Sequence, residues 1–488
     1  MSLAQIQLTN TLSAKKEPLK TRKPGVVNMY LCGPTVYGYT HIGNARAALT
    51  GDLVARTLEY AGYKVRYARN ITDIDDKIIN KANEEGRDAS SVALEFEAAY
   101  NSELAQLNVR QPDFIPHATE HVIDMHSIIR GLMAKDFAYA SETPFGKDVY
   151  FRVEKFKPYG KLSKRNPDDM QAGARIEVGE AKDNPLDFAL WKAAKPGEPS
   201  WNFEGVGEGR PGWHIECSAM IASVFPEGLD IHLGGLDLIF PHHENEIAQS
   251  ESLTGQELAA QWIHNGMLTI QREKMSKSKG NGFRTHEFLE MFGAETLKLM
   301  YLQHHYRSPV DFSDEGILRA EALVERLYRA KMKALEHAHL HYGSFEAPPA
   351  FKNLEKLDEC LFDDFNSAKA IGHILGALRV CNKEDKPELW AIWGHACMKI
   401  FSRVFGLLES EPAAAIAQIR ARRLKRMNVS SELAERVDRE LASREELRKD
   451  KKFEEADAVR KKLEAEGFQI MDGPDGACWA VSEAGLKL

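Results

Sequence analysis

Two short segments, far apart in the chain, carry side chains suited to a nucleoside triphosphate. His41-Ile42-Gly43-Asn44 follows an apolar run, Val26-Val27-Asn28-Met29-Tyr30-Leu31, and precedes Ala45-Arg46-Ala47-Ala48-Leu49. The run reads as a buried parallel strand and the segment after the turn as a helix. A strand, a glycine-bearing turn and a helix leave free backbone N–H groups and a positive dipole end where a phosphate can sit. His41 and Asn44 can donate hydrogen bonds to an α-phosphate there, and Gly43 does not block access. The second segment, Lys274-Met275-Ser276-Lys277-Ser278, sets two cations among small polar residues just before Gly280. Lys274 and Lys277 can neutralise the β- and γ-phosphates as pyrophosphate leaves. Either segment alone is compatible with a plain turn or a solvated loop. Together, and in this order, they point to chemistry at an α-phosphate.

A further set suits a metal: Cys32, Cys217, His242 and Glu246. His242 and Glu246 lie in Pro241-His242-His243-Glu244-Asn245-Glu246, which reads as a helix start with proline in its first turn. That spacing puts both side chains on one helical face. Cys32 and Cys217 each end a strand-like run of the same expected sheet. Two thiolates, an imidazole and a carboxylate make a plausible tetrahedral zinc set. The spacing is not a zinc-finger pattern. The residues by themselves leave open that the thiols are small buried hydrophobes and the His/Glu cluster a hydrogen-bonded structural element.

The elements that must position these groups follow from the pattern. Val65-Arg66-Tyr67-Ala68-Arg69-Asn70-Ile71 reads as a second strand after a helix over Asp52–Tyr60, so the chain begins as a βαβ unit. Ligands of such sheets sit at the carboxyl ends of the strands, where Cys32 and Thr72 both fall. Between residues 135 and 208 Pro, Gly and Lys rise and short strand-like runs appear, as in Asp148-Val149-Tyr150-Phe151-Arg152-Val153. Gly212-Trp213-His214-Ile215-Glu216-Cys217 restarts the core, and Leu229-Asp230-Ile231-His232-Leu233 reads as another core strand. After Phe312 the pattern is helical: Ile317, Ala320, Leu323, Leu327, Ala330 and Ala334 share one face. Gly343 to Ala350 reads as a linker. The expected fold is α/β, with a Rossmann-type parallel-sheet catalytic core, an inserted subdomain and helical C-terminal domains. The expected boundaries are 1–134 and 209–312 for the core, 135–208 for the insertion, 313–425 for a helical domain and 426–488 for a small last domain.

Composition sets outer limits. At 488 residues the chain should hold several domains, and 43% hydrophobic with 28% charged residues is ordinary for a soluble globular protein. No secretory pattern opens the sequence, and no apolar run approaches the roughly 18–20 residues of a membrane span. Cys32, Cys217, Cys360, Cys381, Cys397 and Cys478 are scattered, which favours a reducing cytoplasm over a disulfide framework. The net charge of −8 disfavours non-specific nucleic-acid binding. Ala417 to Lys462 nevertheless holds fifteen Lys and Arg against ten Asp and Glu, densest at Arg420, Arg422, Arg423, Lys425 and Arg426. Such a stretch suits either specific polyanion binding or a solvated, ion-paired helix.

The paired segments resemble the HIGH and KMSKS motifs of class I aminoacyl-tRNA synthetases, with Asn44 where that family usually has a second His. Longer stretches are similar to cysteinyl-tRNA synthetase: Leu31-Cys32-Gly33-Pro34-Thr35-Val36-Tyr37, Asn70-Ile71-Thr72-Asp73-Ile74-Asp75-Asp76-Lys77, Arg210-Pro211-Gly212-Trp213-His214-Ile215-Glu216-Cys217-Ser218-Ala219-Met220 and Phe240-Pro241-His242-His243-Glu244-Asn245-Glu246. The likeness runs from Leu8 to Trp479 and implies one Zn2+ on Cys32, Cys217, His242 and Glu246. It implies an amino-acid pocket containing Gly33, Thr72, Trp213, His232 and Asp237, and ATP held with Mg2+ by His41, Gly43, Asn44 and Lys277. It also implies L-cysteine and tRNA(Cys) as substrates, a monomer and a cytoplasmic site. Zinc prefers a soft thiolate to a neutral hydroxyl, so the metal would select cysteine over the near-isosteric serine. The helical C-terminal part resembles tRNA- and anticodon-binding regions; Trp479 would stack there on a base or pack against the last helix. Two alternatives remain at this stage. One is a same-fold ligase joining cysteine to an amino sugar. The other is a catalytically idle RNA-binding paralogue.

Overall fold

The computed structural model describes residues 3–166, 181–270, 273–274, 283–341, 345–473 and 476–481. The chain divides into two compact units. One comprises Met1–Thr285, His305–Asp311 and Leu361–Asn366; the other comprises His286–His304, Phe312–Cys360 and Ser367–Leu488.

The first unit opens with a hairpin of β1 (Gln7–Asn10) and β2 (Lys15–Pro18). The βαβ unit follows: β3 (Val26–Leu31), α1 (Ile42–Tyr60) and β4 (Lys64–Arg69), with the two strands parallel. The two helical stretches anticipated within residues 45–60 are one continuous helix. Two further helices, α2 (Asp76–Glu85) and α3 (Ala89–Gln106), are followed by α4 (Val122–Ala134).

Residues 135–208 were expected as an insertion, and an antiparallel five-stranded sheet occupies that part of the chain. Its strands are β5 (Ala138–Thr143), β6 (Gly146–Phe151), β7 (Phe188–Ala193), β8 (Trp201–Phe203) and β9 (Gly207–Pro211), in the order β5-β6-β7-β9-β8. Asp187 ties its strands together at their ends: its carboxylate accepts from Tyr139 Oη on β5 at 2.9 Å and from the Val153 N–H just after β6 at 2.9 Å. One apolar cluster runs from Tyr30 and Ala68 in the parallel sheet through Met125 and Ile129 on α4 to Val149, Phe151 and Trp191 in the inserted sheet.

The chain then returns through α5 (Trp213–Val224), β10 (Leu229–Gly235), α6 (Glu244–Thr254) and β11 (Ala259–Asn265). The parallel sheet has the order β11-β10-β3-β4. Register pairs Leu233 with Leu31 and Gly235 with Asn265, so Cys32, Gly235 and Asn265 fall together along the carboxyl edge. One expectation is corrected here. Cys217 does not end a strand but lies on α5. Gly212 stops β9 in extended conformation and caps a helix whose Ile215–Ile221 stretch is wholly buried. A helix buried on all sides has no amphipathic period by which to recognise it.

The second unit is helical as expected. Along Asp314–Glu336, Ile317, Ala320, Leu327, Ala330 and Ala334 are buried, with Val324 rather than the half-buried Leu323 completing the stripe. Ser313 caps this helix, its Oγ accepting the Gly316 N–H at 3.2 Å. The expected linker ends in a 3₁₀ segment, Pro349–Lys356. Later helices include Ser367–Glu384, Pro387–Ile400, Pro412–Met427, Ser431–Lys449 and Phe453–Ala465. A hairpin of Phe468–Gly473 and Gly476–Val481 follows.

Candidate active site and metal centre

Cys32 follows β3, Cys217 sits on α5, and His242 and Glu246 come from the entry and first turn of α6. All four are buried, and one ligand atom of each lies within 4.8 Å of the others. Cys32 Sγ is 3.7 Å from Cys217 Sγ and 3.4 Å from Glu246 Oε1. His242 Nε2 is 2.9 Å from the same carboxylate oxygen. Two Zn–S bonds of about 2.3 Å at the tetrahedral angle would put their sulfurs about 3.8 Å apart. The donor set therefore fits a four-coordinate zinc ion, and both thiols are free.

The charges in this cluster are mutually arranged. The Cys217 thiol is lowered to about 6, chiefly by the hydrogen bond from Cys32, against the effect of burial. Burial pushes the Cys32 thiol well up, and the adjoining Cys217 adds to this. Burial opposes charge on His242, but Glu246 and Cys217 outweigh it and raise the imidazole to about 10. Burial likewise opposes ionisation of Glu246, but His232 and His242 hold its carboxyl well below the usual range. The cluster thus favours a thiolate at Cys217 and a carboxylate at Glu246, while the Cys32 thiol and the His242 imidazolium would give up their protons to an incoming cation.

A shell of imidazoles lies behind it. His232, fully buried on β10, faces Glu246 Oε2 at 2.8 Å and stacks on Trp262 with centroids 4.5 Å apart. His243 Nε2 is 3.3 Å from Cys32 Sγ; its Nδ1 is 2.8 Å from His264 Nε2, and His264 Nδ1 is 2.8 Å from Thr11 Oγ1. Cys32, His232, His243 and Glu246 form an overlapping second donor set. Sequence reading missed His243 and His264. The doubled histidine in Pro241-His242-His243 was the one visible hint.

In front of the cluster a cavity of about 350 Å³ opens at the carboxyl edge of the sheet. Gly33, Thr72, Trp213 and Asp237 line it, whereas His232, expected in the pocket, lies behind it with no exposed surface. Gly33 is obligatory: a Cβ there would fall 1.7 Å from Asn70 O. Thr72 Oγ1 donates to Glu216 at 3.0 Å and accepts from Asn70 Nδ2 at 3.4 Å, which leaves one lone pair for an incoming donor. Trp213 is 37% exposed and stacks on His242 at 4.4 Å, so it forms a lid-like wall rather than core.

His41, Gly43 and Asn44 line the other wall at the start of α1. Lys274 belongs to a short strand, Glu273–Lys274, paired antiparallel with Leu268–Ile270. Met275 to Gly280, including Lys277, lie outside the described residues. The described residues on either side of that segment are joined to residues at or beside the cavity wall. Leu268 lines the cavity, the Ile42 N–H donates to Phe283 O at 3.2 Å, and the Thr285 N–H donates to Thr40 O at 2.8 Å.

Residues 18–322 match the family described as "tRNA synthetases class I (C) catalytic domain". A cysteine–tRNA ligase of Geobacter metallireducens is 45% identical over 490 residues, covering 98% of this chain and 99% of its own. This chain belongs to the cysteinyl-tRNA synthetase family. A cysteine–tRNA ligase of Nitratidesulfovibrio vulgaris (strain Hildenborough) is 44% identical, covering 98% of this chain and 100% of its own. At the level of fold, the chain is similar to Mycobacterium tuberculosis methionyl-tRNA synthetase in complex with methionyl-adenylate. That likeness has a TM-score of 0.60 and 15% identity, over 83% of this chain and 94% of that one. Membership of the cysteinyl-tRNA synthetase family is compatible with zinc at the buried Cys/His/Glu cluster.

The basic cluster is largely committed elsewhere. Arg423 and Arg426 both bind Glu321, at 2.8 Å each, and Arg423 also pairs with Glu325. Arg420 pairs with Asp438, and Lys425 with Glu290 at 2.6 Å. The ion-paired alternative describes these residues. Trp479 packs edge-on against Phe468 at 5.2 Å and donates Nε1–H to Asp438 at 2.8 Å, so packing describes it too.

Proposed function

We propose that the chain activates L-cysteine with ATP and transfers the cysteinyl group to the 3′-terminal ribose of tRNA(Cys). The cysteine carboxylate oxygen attacks the α-phosphorus; the bond from α-phosphorus to the bridging oxygen breaks and pyrophosphate leaves. A terminal ribose hydroxyl then attacks the adenylate carbonyl, and AMP leaves. The observation that carries this reading is a two-thiol, His and Glu donor set at one end of a cavity whose other wall is the start of α1.

Zinc held by Cys32, Cys217, His242 and Glu246 would supply a soft Lewis acid with a preference for thiolate over hydroxyl. Gly33, Thr72, Trp213 and Asp237 bind and enclose the amino acid, Thr72 or Asp237 taking its ammonium. His232 acts through Glu246 rather than on substrate. His41 and Asn44 serve the α-phosphate, with Gly43 giving it room; Lys274 and Lys277 serve the departing pyrophosphate, and Mg2+ accompanies ATP. Most of the rate enhancement is positioning and charge stabilisation. The core of 1–134 and 209–312 holds the chemistry, 135–208 is its insertion, and 313–425 and 426–488 engage the tRNA, in a cytoplasmic monomer. No helix among the described residues is long and apolar enough to cross a membrane.

Charging of tRNA with labelled cysteine tests the reading. Cysteine-dependent pyrophosphate exchange together with cysteinyl-tRNA supports it. Exchange without charged tRNA moves the acceptor from a ribose hydroxyl to an amine, such as that of an amino sugar. No reaction of either kind leaves an idle paralogue.

A further inference from the structure

Asn265 ends β11, at the edge of the parallel sheet, and lines the same cavity as Cys32 and His41. It is 5% exposed. Its Nδ2 donates to Gly266 O at 3.2 Å, which fixes the orientation of the amide. Its Oδ1 is buried and has no hydrogen-bond partner among the described residues. An acceptor kept out of water without a donor costs about 1–3 kcal/mol, so its position beside a ligand cavity calls for a ligand donor.

The identity of that donor follows from the edge of the sheet. Cys32, Gly235 and Asn265 sit at the carboxyl ends of three successive strands, β3, β10 and β11. Two strand spacings, about 10 Å, separate the first from the last. If the substrate sulfur lies at the cysteine cluster and the phosphate at the start of α1, the nucleoside is left for the Asn265–Leu268 wall. Asn265 is rigidly presented there. Arg46 Nη1 donates to Gly266 O at 2.7 Å and to Met267 O at 2.8 Å, and the Gly266 N–H donates to Tyr306 O at 2.8 Å. Gly266 itself is wedged: a Cβ would lie 2.4 Å from Ser308 O.

We propose that Asn265 is a nucleoside-recognition residue, its Oδ1 accepting a hydrogen bond from the adenosine half of the adenylate, from the 6-amino group or a ribose hydroxyl. The proposal rests on the ligase reading given above and adds a specificity determinant to it. The shared chemistry is a single N–H or O–H donor, and nucleotide analogues separate the sources.

The test is cysteine-dependent pyrophosphate exchange by the full chain, with wild type, Asn265→Ala and Asn265→Asp. Each is assayed with ATP, 2′-deoxy-ATP, 3′-deoxy-ATP and the triphosphate of purine riboside, which lacks the 6-amino group. Wild type should lose about tenfold in kcat/KM with the one analogue that lacks the donor. Asn265→Ala should lose about tenfold with ATP, mostly in KM, and show less than twofold further loss with that analogue. Asn265→Asp keeps the acceptor and the shape, and should retain discrimination among the analogues. Equal losses for ATP and all three analogues in Asn265→Ala would assign the residue a purely structural part and overturn the proposal. So would an unchanged KM in a folded Asn265→Ala, or loss of discrimination in a folded Asn265→Asp. Absence of exchange by wild type with ATP and cysteine would instead overturn the ligase reading, and this proposal with it.

Discussion

His41 and Asn44 close on each other across the first turn of α1: the His41 N–H donates to Asn44 Oδ1 at 3.2 Å, and the Asn44 N–H to His41 O at 2.8 Å. The His41 ring lies over Gly43, where a Cβ would come within 2.9 Å of it. Asn44 therefore shapes the turn that opens α1 as well as lining the cavity. A histidine at this position could carry charge but would not present an amide oxygen to the cap.

Asn44→Ala should lower stability by about 1 kcal/mol through the lost cap and slow pyrophosphate exchange as well. Urea melts and exchange rates check the two separately. A loss of rate with no loss of stability would assign Asn44 to the phosphate alone.

Arg46 is 2% exposed and gives its guanidinium to four backbone carbonyls, those of Gly266, Met267, Tyr306 and Ser308. Lysine cannot reproduce that planar fork. Arg46→Lys should raise the KM for ATP several-fold, and Arg46→Met, which leaves buried carbonyls without their donor, should cost about 3 kcal/mol in a urea melt. A lysine variant indistinguishable from wild type in both would show that the Gly266 wall does not need the clamp.

His232 touches Glu246 but not the cavity. His232→Leu should weaken zinc binding about 10–100-fold in a chelator competition and leave cysteine KM nearly unchanged once metal is saturating. A raised cysteine KM with undiminished zinc affinity would put His232 back in the amino-acid pocket.

His126 on α4 stacks on Phe203 with centroids 4.3 Å apart and meets Trp191 edge-on at 4.7 Å. Burial, with Arg130 adding to it, lowers this imidazole below its ordinary value. The unfolded chain takes up the proton near pH 6.5, before the native one does. Stability should therefore be unaffected above that pH and fall below it. Urea midpoints from pH 7.5 to 5.5 should drop more for wild type than for His126→Phe. Parallel curves would remove His126 as the cause.

What could be read from the sequence was whatever declared itself locally. Cys32 and Thr72 were placed at strand ends because β3 is a bounded apolar run and the β4 segment alternates apolar with charged residues, and the Asp314–Glu336 helix because its apolar residues recur with helical spacing. Cys217 was placed on a strand because α5 is buried all round and has no period. The partners of His232, His243 and His264 were not legible because each finds them only in the folded chain. His243 reaches Cys32 across 211 residues. Arg423 looked like polyanion surface because Glu321, its partner, lies 102 residues upstream.

The most direct measurement is charging of tRNA(Cys) with labelled cysteine and, in parallel, labelled serine, before zinc removal, after it and after zinc is restored. The account predicts cysteinyl-tRNA only with zinc present and no seryl-tRNA in any state. Undiminished cysteine charging by protein shown to be zinc-free, or serine charged alongside cysteine by the zinc-loaded chain, would contradict it.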